Sequence, residues 1–190
     1  LSPEPYGSVL ILAPWNYPSQ LCLTPLVGAI AAGSCAVVTP SAYTPATSRV
    51  LARLLSETFD PAFVAAVEGG RQENQALLDQ PFDYIFFTGS KAVGRLVMEK
   101  AAQRLTPVTL ELGGKSPVIV DGTADLRTAA RRVMFGKVLN AGQTCVEPDY
   151  AFVREDALEP FLAGCRAALA EFFPNDDFGE MPVIVNEKHY

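Results

Sequence analysis

The feature that most constrains the fold is an alternation between short β-branched segments and longer helical segments. The first part of the chain has predicted strands at residues 9–13, 35–38, 63–67, 84–87 and 108–112. Predicted helices separate them, at residues 19–32, 45–59, 72–78 and 92–104. Strands joined by helices at this spacing favour parallel βαβ units. The sequence therefore predicts an α/β fold with a doubly wound, Rossmann-like parallel sheet.

The pattern restarts after Gly113 and Gly114, which indicates a domain boundary there. The second part has predicted strands at residues 117–120 and 151–153 and predicted helices at 126–139 and 158–172. This part is short for an independent domain. We therefore predict one domain over residues 1–112 and part of a second α/β domain over residues 113–190.

Charge and composition argue against several classes of function. The formal net charge of −6, with acidic and basic residues interspersed, argues against a nucleic-acid groove. The chain has 4 cysteines, no CxxC pair and one histidine, so we expect no metal site. The longest apolar stretch, residues 26–38, is too short and too interrupted to be a membrane segment. We expect a cytoplasmic protein with reduced thiols, in which Cys22, Cys35 and Cys165 have apolar or helical surroundings.

Small and polar residues follow the predicted strands, where a doubly wound sheet usually binds its ligands. The GxGxxG motif that often follows the first strand is absent, and Trp15 and Asn16 stand there instead. A glycine-rich turn follows the fourth strand, where Gly89 would admit a phosphate and Ser90 would cap the next helix. An ordinary capped strand–helix turn is the alternative. The end of the second strand, residues 39–42, offers hydroxyl groups but no charged group.

Cys145 is the candidate nucleophile, because small and polar residues precede it at the predicted end of a helix. Many free cysteines are instead small buried hydrophobic residues, and the spacing leaves both alternatives open. A nucleophilic thiol needs a nearby base. No histidine lies near Cys145 in sequence, so Glu111 is the candidate base, with an exposed strand-end carboxylate as the alternative. The amide of Asn16 is a candidate donor to an oxyanion, or a turn-forming group.

Motifs in four segments, in this order, resemble signatures of the aldehyde dehydrogenase superfamily. The segments are residues 14–18, 87–90, 111–117 and 140–145. Residues 145–150 and 185–190 are most similar to the class 3, fatty-aldehyde-type branch of that family. The resemblance covers nearly the whole chain, and four signatures in register are highly specific.

The resemblance implies NAD(P)-dependent oxidation of a small-molecule aldehyde to a carboxylic acid. It implies that Cys145 forms a thiohemiacetal and then a thioester, that Glu111 activates the hydrolytic water, and that Asn16 belongs to the oxyanion hole. It also implies that residues 1–112 are the dinucleotide-binding domain and that residues 113–190 begin the catalytic domain. The implied cofactor contacts are Trp15, Thr39, Ser41, Gly89, Ser90, Gly94, Leu112 and Gly113.

Two departures from the family pattern affect these expectations. The family commonly has Lys-Pro-Ser-Glu where this chain has residues 39–42, Thr-Pro-Ser-Ala, and the lost Lys and Glu would hold the adenosine ribose. Their loss is expected to weaken NAD or NADP binding by about 3–6 kcal/mol, unless the hydroxyls of Thr39 or Ser41 compensate. The sequence also lacks the family's N-terminal part and its later glutamate segment, so we expect a central fragment that associates with other chains or forms a homo-oligomer.

Three functional hypotheses follow from these observations. The first is an NAD(P)-dependent aldehyde dehydrogenase. The second is a degenerate relative that has lost cofactor binding and acts as a scaffold subunit or a cofactor-free thioesterase. The third is a non-catalytic α/β interaction domain within a larger assembly.

Overall fold

The computed structural model describes residues 4–190. The chain divides into two compact units between Leu112 and Gly113. Among the described residues, none of the helices has the length and hydrophobicity that crossing a bilayer requires.

Within residues 4–112, the first unit contains a sheet of five parallel strands in the order β3-β2-β1-β4-β5. The strands are β1 (Ser8–Leu12), β2 (Cys35–Thr39), β3 (Val64–Ala66), β4 (Tyr84–Gly89) and β5 (Val108–Leu112). The helices are α1 (Gln20–Ala31), α2 (Pro45–Thr58), α3 (Arg71–Leu78) and α4 (Lys91–Ala102). The predicted α/β fold with a doubly wound parallel sheet is confirmed.

The side chains of β1 explain why this sheet is covered on both faces. Successive strand residues point to opposite faces. Val9 and Ile11 accordingly belong to one buried cluster, which includes apolar residues of α1 and α2. Leu10 and Leu12 belong to another, which includes residues of α3 and α4. A continuous apolar strand of this kind is typical of a parallel sheet between two helix layers.

The strand order reverses between β1 and β4. The chain moves outward from β1 through β2 to β3, then returns to the other side of β1 and continues to β5. In register, Leu12 pairs with both Thr39 and Phe87, so the ends of these strands lie at one edge of the sheet. Ligands of open α/β sheets bind at such a topological switch point.

The second unit contains a two-stranded parallel sheet within residues 113–190. Its strands are β6 (Ser116–Val120) and β7 (Pro148–Val153), and its helices are α5 (Leu126–Val138) and α6 (Leu158–Phe172). Short 3-10 helices lie at Leu139–Gly142, Glu155–Ala157, Pro174–Asp176 and Glu187–His189. Val120, Ala130 and Phe161 form its buried core.

Strand β7 begins at Pro148, three residues before the predicted start at residue 151. Proline and aspartate are poor strand formers, which is why the local pattern indicated a later start. Pro148 pairs with Ser116 of β6 and Tyr150 pairs with Pro117, so the strand continues through Asp149 across a register irregularity. Proline is tolerated here because it occupies the first position of the strand.

Candidate functional site

The end of β4 and the start of α4 form the turn that was predicted to face a phosphate. Gly89 is the last residue of β4, and Ser90 is the N-cap of α4. The Ser90 hydroxyl accepts a hydrogen bond from the backbone N–H of Val93 at 3.3 Å, so the predicted cap is confirmed. The first N–H groups of a helix lack intrahelical partners and favour an anion. This helix terminus lies at the switch point beside the end of β1.

Gly94 lets α4 pack closely against the end of the sheet. A Cβ atom at this buried position would lie 2.9 Å from Cδ2 of Leu112 and 3.6 Å from Cε1 of Phe87. A glycine at this point of a dinucleotide-binding turn allows close packing of helix and strand. Gly94 therefore affects the position of α4, and with it the position of the Ser90 cap.

We expect Gly94→Ala to lower the free energy of unfolding by about 1–2 kcal/mol, because overpacking outweighs the higher helix propensity of alanine. Gly28→Ala in α1 is the matched control, since a Cβ there would have nothing within 4 Å among the described residues. The control is expected to raise the free energy of unfolding by roughly 0.5–1 kcal/mol. Urea unfolding measures both changes. Equal effects of the two substitutions would show that the packing at Gly94 is loose.

The residues after β2 are arranged differently from the prediction for a ribose site. Thr39 is only 3% exposed, and its hydroxyl donates a hydrogen bond to the carbonyl of Ile11 at 3.5 Å. The hydroxyl of Ser41 is half-buried and accepts a hydrogen bond from the backbone N–H of Tyr43 at 3.3 Å. The Thr39 hydroxyl is thus already hydrogen-bonded within the sheet, so Ser41 is the better candidate for a ribose contact.

Glu111 is exposed and occupies the position before the last residue of β5. It pairs in register with Thr88 of β4. The Thr88 hydroxyl is buried and has no hydrogen-bond partner among the described residues. The sequence analysis assigned no role to Thr88, although a hydroxyl residue between apolar Phe87 and Gly89 was a visible signal. Glu111 and the unsatisfied Thr88 hydroxyl thus lie on neighbouring strands at the edge of the sheet that was predicted to bind the ligand.

Trp15 and Asn16 follow β1 at the same edge of the first sheet, and both are half-buried. The turn that contains them leads into α1, where the backbone N–H of Leu21 donates to the carbonyl of Tyr17 at 2.9 Å. Leu112 ends β5 and is half-buried, whereas Gly113 follows it as the exposed first residue of the second unit. The first unit therefore brings most of the predicted cofactor residues to one edge of its sheet.

Cys145 lies in a turn between the 3-10 helix and β7 and is half-buried. Helix α5 ends at Val138, within one residue of the predicted end, and Cys145 lies beyond it in the segment that leads to β7. Three consecutive residues cause the break, since Asn140, Ala141 and Gly142 have φ values of 53°, 55° and 76°. An alanine in this left-handed region, such as Ala141, costs about 1–2 kcal/mol, whereas asparagine tolerates the region more readily. Such strain persists only where surrounding contacts impose it, and it often occurs at active sites.

Contacts on both sides of Cys145 hold this turn. Lys137 Nζ lies 3.2 Å from Glu147 Oε1, which joins the end of α5 to the residue just before β7. The side-chain amide of Gln143 donates to the carbonyl of Asn140 at 2.9 Å. Gln143 also binds a distant segment, at Val183 and Val185. The sequence analysis assigned no role to Gln143, because its contacts with Val183 and Val185 join segments about 40 residues apart and no local pattern connects them.

The other cysteines differ from Cys145 in their surroundings. Cys22 is fully buried in α1, and desolvation raises the pKa of its thiol to about 12. Burial also raises the pKa of Cys165 in α6. Cys35 is exposed at the first position of β2, so its expected apolar or helical surroundings were wrong. Cys35 is the first residue of β2, and its side chain lies outside the buried cluster to which Ala36 and Val38 belong.

Comparison with known proteins identifies the family. A profile described as the aldehyde dehydrogenase family matches residues 1–189. The chain belongs to the aldehyde dehydrogenase family. The predicted resemblance is therefore confirmed.

Class 3 aldehyde dehydrogenases are among the curated relatives of this chain. The 4,4'-diaponeurosporen-aldehyde dehydrogenase of Staphylococcus aureus is 52% identical and is matched over 98% of this chain and 41% of its own length. Aldehyde dehydrogenase family 3 member B1 of Rattus norvegicus is 47% identical over 98% of this chain and 40% of its own length. The chain thus spans about two fifths of the length of these relatives.

Solved aldehyde dehydrogenase structures agree with the fold. The substrate-bound state of Staphylococcus aureus AldH has a TM-score of 0.92 at 51% identity, over 98% of this chain and 41% of that one. The Mycobacterium tuberculosis aldehyde dehydrogenase complexed with NAD+ has a TM-score of 0.80 at 37% identity, over 88% of this chain and 35% of that one. These similarities support the parallel α/β architecture of both units.

Proposed function

We propose that the protein containing this chain oxidises an aldehyde to a carboxylic acid with NAD or NADP, and that Cys145 is its nucleophile. The observation that carries the proposal is the half-buried Cys145 turn, which contains left-handed residues within a chain of the aldehyde dehydrogenase family. Relatives named as aldehyde dehydrogenases, and a related structure complexed with NAD+, support the reaction class.

In the proposed first step, the thiolate of Cys145 attacks the carbonyl carbon of the aldehyde and forms a C–S bond. The carbonyl oxygen takes up the negative charge. The side-chain amide of Asn16 and the backbone N–H of Cys145 would donate hydrogen bonds to that oxygen, which stabilises the thiohemiacetal oxyanion.

The proposed second stage converts the thiohemiacetal into a thioester and then hydrolyses it. When bound, the nicotinamide ring supplies the two-electron acceptor for the oxidation. Glu111 would then take a proton from water, whose oxygen attacks the thioester carbonyl carbon. The C–S bond breaks, the Cys145 thiolate is regenerated, the carboxylic acid leaves, and Glu111 releases its proton to solvent.

The residues at the switch point fit a dinucleotide. Gly89 and Ser90 lie at the N-terminus of α4, where the first turn of a helix favours the negative charge of a pyrophosphate, and Gly94 lets that helix pack closely against Leu112. The half-buried Trp15, with Leu112 and Gly113, would line the nicotinamide side. Ser41 would contact the adenosine ribose. The neighbouring position 42 offers no carboxylate to the ribose, because it is an exposed alanine. The fit is therefore better at the pyrophosphate than at the ribose.

Calorimetric titration of the complete protein with NAD and with NADP tests the cofactor assignment. We expect binding of at least one of them, and tighter binding of NAD to the Ala42→Glu variant by about tenfold or more. A carboxylate at the ribose favours NAD over NADP, so the affinity for NADP should not improve. Ala46→Glu adds the same charge at a nearby exposed position and is the matched control. Equal tightening by both variants would contradict a ribose contact at position 42.

A cofactor-free thioesterase is the second candidate function. It is favoured by the engaged Thr39 hydroxyl and by the missing carboxylate at Ala42. Its signature is ester hydrolysis that needs no cofactor and disappears in Cys145→Ala. That result, combined with no heat of binding at millimolar NAD or NADP, would favour this candidate over the dehydrogenase.

Association with a second copy or with other chains, and a cytoplasmic location, stay predictions for this protein. Several large apolar side chains of the second unit are exposed, including Ile119, Phe152 and Val183. Exposed apolar surface of this kind often belongs to an interface. These side chains support association.

A further inference from the structure

We propose that Gln143 is a positioning residue for the thiol of Cys145. It ties the Cys145 turn to the distant segment around Val183 and Val185. The inference rests on the proposed nucleophilic role of Cys145. It adds that both ester hydrolysis and aldehyde oxidation require the Cys145 turn to be fixed by its contact with residues 183–185.

The Gln143 side chain uses both ends of its amide. Its nitrogen donates to the carbonyl of Asn140 at 2.9 Å and to the carbonyl of Val183 at 3.3 Å. Its oxygen accepts a hydrogen bond from the backbone N–H of Val185 at 2.9 Å. All of these partners are backbone groups, so the contact fixes the path of two chain segments at once.

The turn needs such an external contact because its own backbone conformation is unfavourable. Asn140 and Ala141 are left-handed without being glycines. The carbonyl of Asn140 accepts hydrogen bonds from both the backbone N–H and the side chain of Gln143, at 3.0 and 2.9 Å. Gln143 therefore stabilises the strained residues directly and connects them to the segment about 40 positions later.

The position of Gln143 relative to the thiol gives this contact a functional consequence. Cys145 lies between Gln143 on one side and Glu147 on the other, and Glu147 pairs with Lys137 at 3.2 Å. The turn is thus held at two points that flank the nucleophile. Because the Lys137–Glu147 pair holds only one side of the turn, loss of the Gln143 contacts is expected to let the thiol leave its reactive position.

Gln143→Met tests the inference in the complete protein, because methionine keeps the length of the side chain and removes all three hydrogen bonds. We expect the single-turnover rate of Cys145 acylation by an activated ester to fall about tenfold. The kcat for aldehyde oxidation should fall similarly while KM changes little, and both rates should stay low when they are expressed per folded molecule. A role in folding alone would lower the unfolding temperature and leave the acylation rate of the folded fraction unchanged.

Val185→Pro removes the backbone N–H group that donates to the Gln143 side-chain oxygen. It therefore tests the same contact by changing the partner residue instead of Gln143. It should slow acylation, and the double variant should be no slower than Gln143→Met. Should Gln143→Met fail to fold, Val185→Pro decides the question. Gln103→Met, at the exposed C-cap of α4, is the matched control and should leave the acylation rate unchanged.

Two outcomes separate this inference from the proposed function. If Cys145→Ala still becomes acylated at the original rate, the nucleophile assignment fails and the inference fails with it. If Cys145 is essential while Gln143→Met and Val185→Pro both acylate within about twofold of the unmodified protein, only the positioning role of Gln143 is overturned.

Discussion

Replacing Cys145 by alanine is expected to abolish aldehyde oxidation, with kcat/KM falling by at least about ten-thousand-fold. The reason is that alanine cannot form the C–S bond on which both proposed stages depend. Removing a catalytic nucleophile leaves only the residual acceleration that binding and oxyanion stabilisation provide. Steady-state formation of reduced nicotinamide by the complete protein, measured over a range of aldehyde concentrations, gives the loss in kcat/KM.

The control for this substitution is Cys35→Ala, because Cys35 is an exposed thiol in the other unit. Its activity should stay within about twofold of the unmodified protein. Binding of NAD or NADP should survive in both variants, since the predicted cofactor residues lie mainly at the switch point of the first unit. Retention of more than about one hundredth of the original activity by Cys145→Ala would remove the covalent mechanism.

The second large effect is expected for Glu111→Gln, which keeps the shape of the side chain but cannot accept the proton of the hydrolytic water. Hydrolysis of the thioester should slow by about a hundred- to ten-thousand-fold. Formation of the thioester should continue, so a burst of reduced nicotinamide close to one equivalent per Cys145 should precede a very slow steady state. Rapid-mixing absorbance measurements resolve the two phases.

Glu57→Gln provides the matching carboxylate-to-amide change on the exposed face of α2, where Glu57 lies 3.8 Å from Arg53. It should change neither phase. If Glu111→Gln abolishes the burst as well, Glu111 acts before the thioester is formed, and its assignment as the hydrolytic base is wrong.

Much of the fold could be predicted because its elements depend on local patterns. Strand β5 and helix α6 have the predicted limits. β-branched residues mark the strand, which ends before Gly113, and apolar residues at helical spacing mark the helix. The strand order β3-β2-β1-β4-β5 depends on contacts between distant segments, so the pattern predicted a parallel doubly wound sheet without its order.

The candidate site was less predictable where backbone conformation depends on distant partners. Ser90 was identifiable as a cap because capping is a local effect. The left-handed residues before Cys145 had no such local signal, and Gln143 stabilises them through bonds to residues near Val183. Thr39 shows the opposite case, because its hydroxyl was visible in the sequence and its hydrogen bond to Ile11 was not.

The buried thiol of Cys22 has a use that is independent of catalysis. With the pKa of this thiol raised to about 12 by burial, the thiolate is scarcely populated at neutral pH. Thiol reagents attack the thiolate, so Cys22 should become labelled only when α1 separates from the sheet. The rate of that labelling would report how often the first unit opens. Cys22 is therefore an intrinsic probe of local unfolding in the presence or absence of ligand.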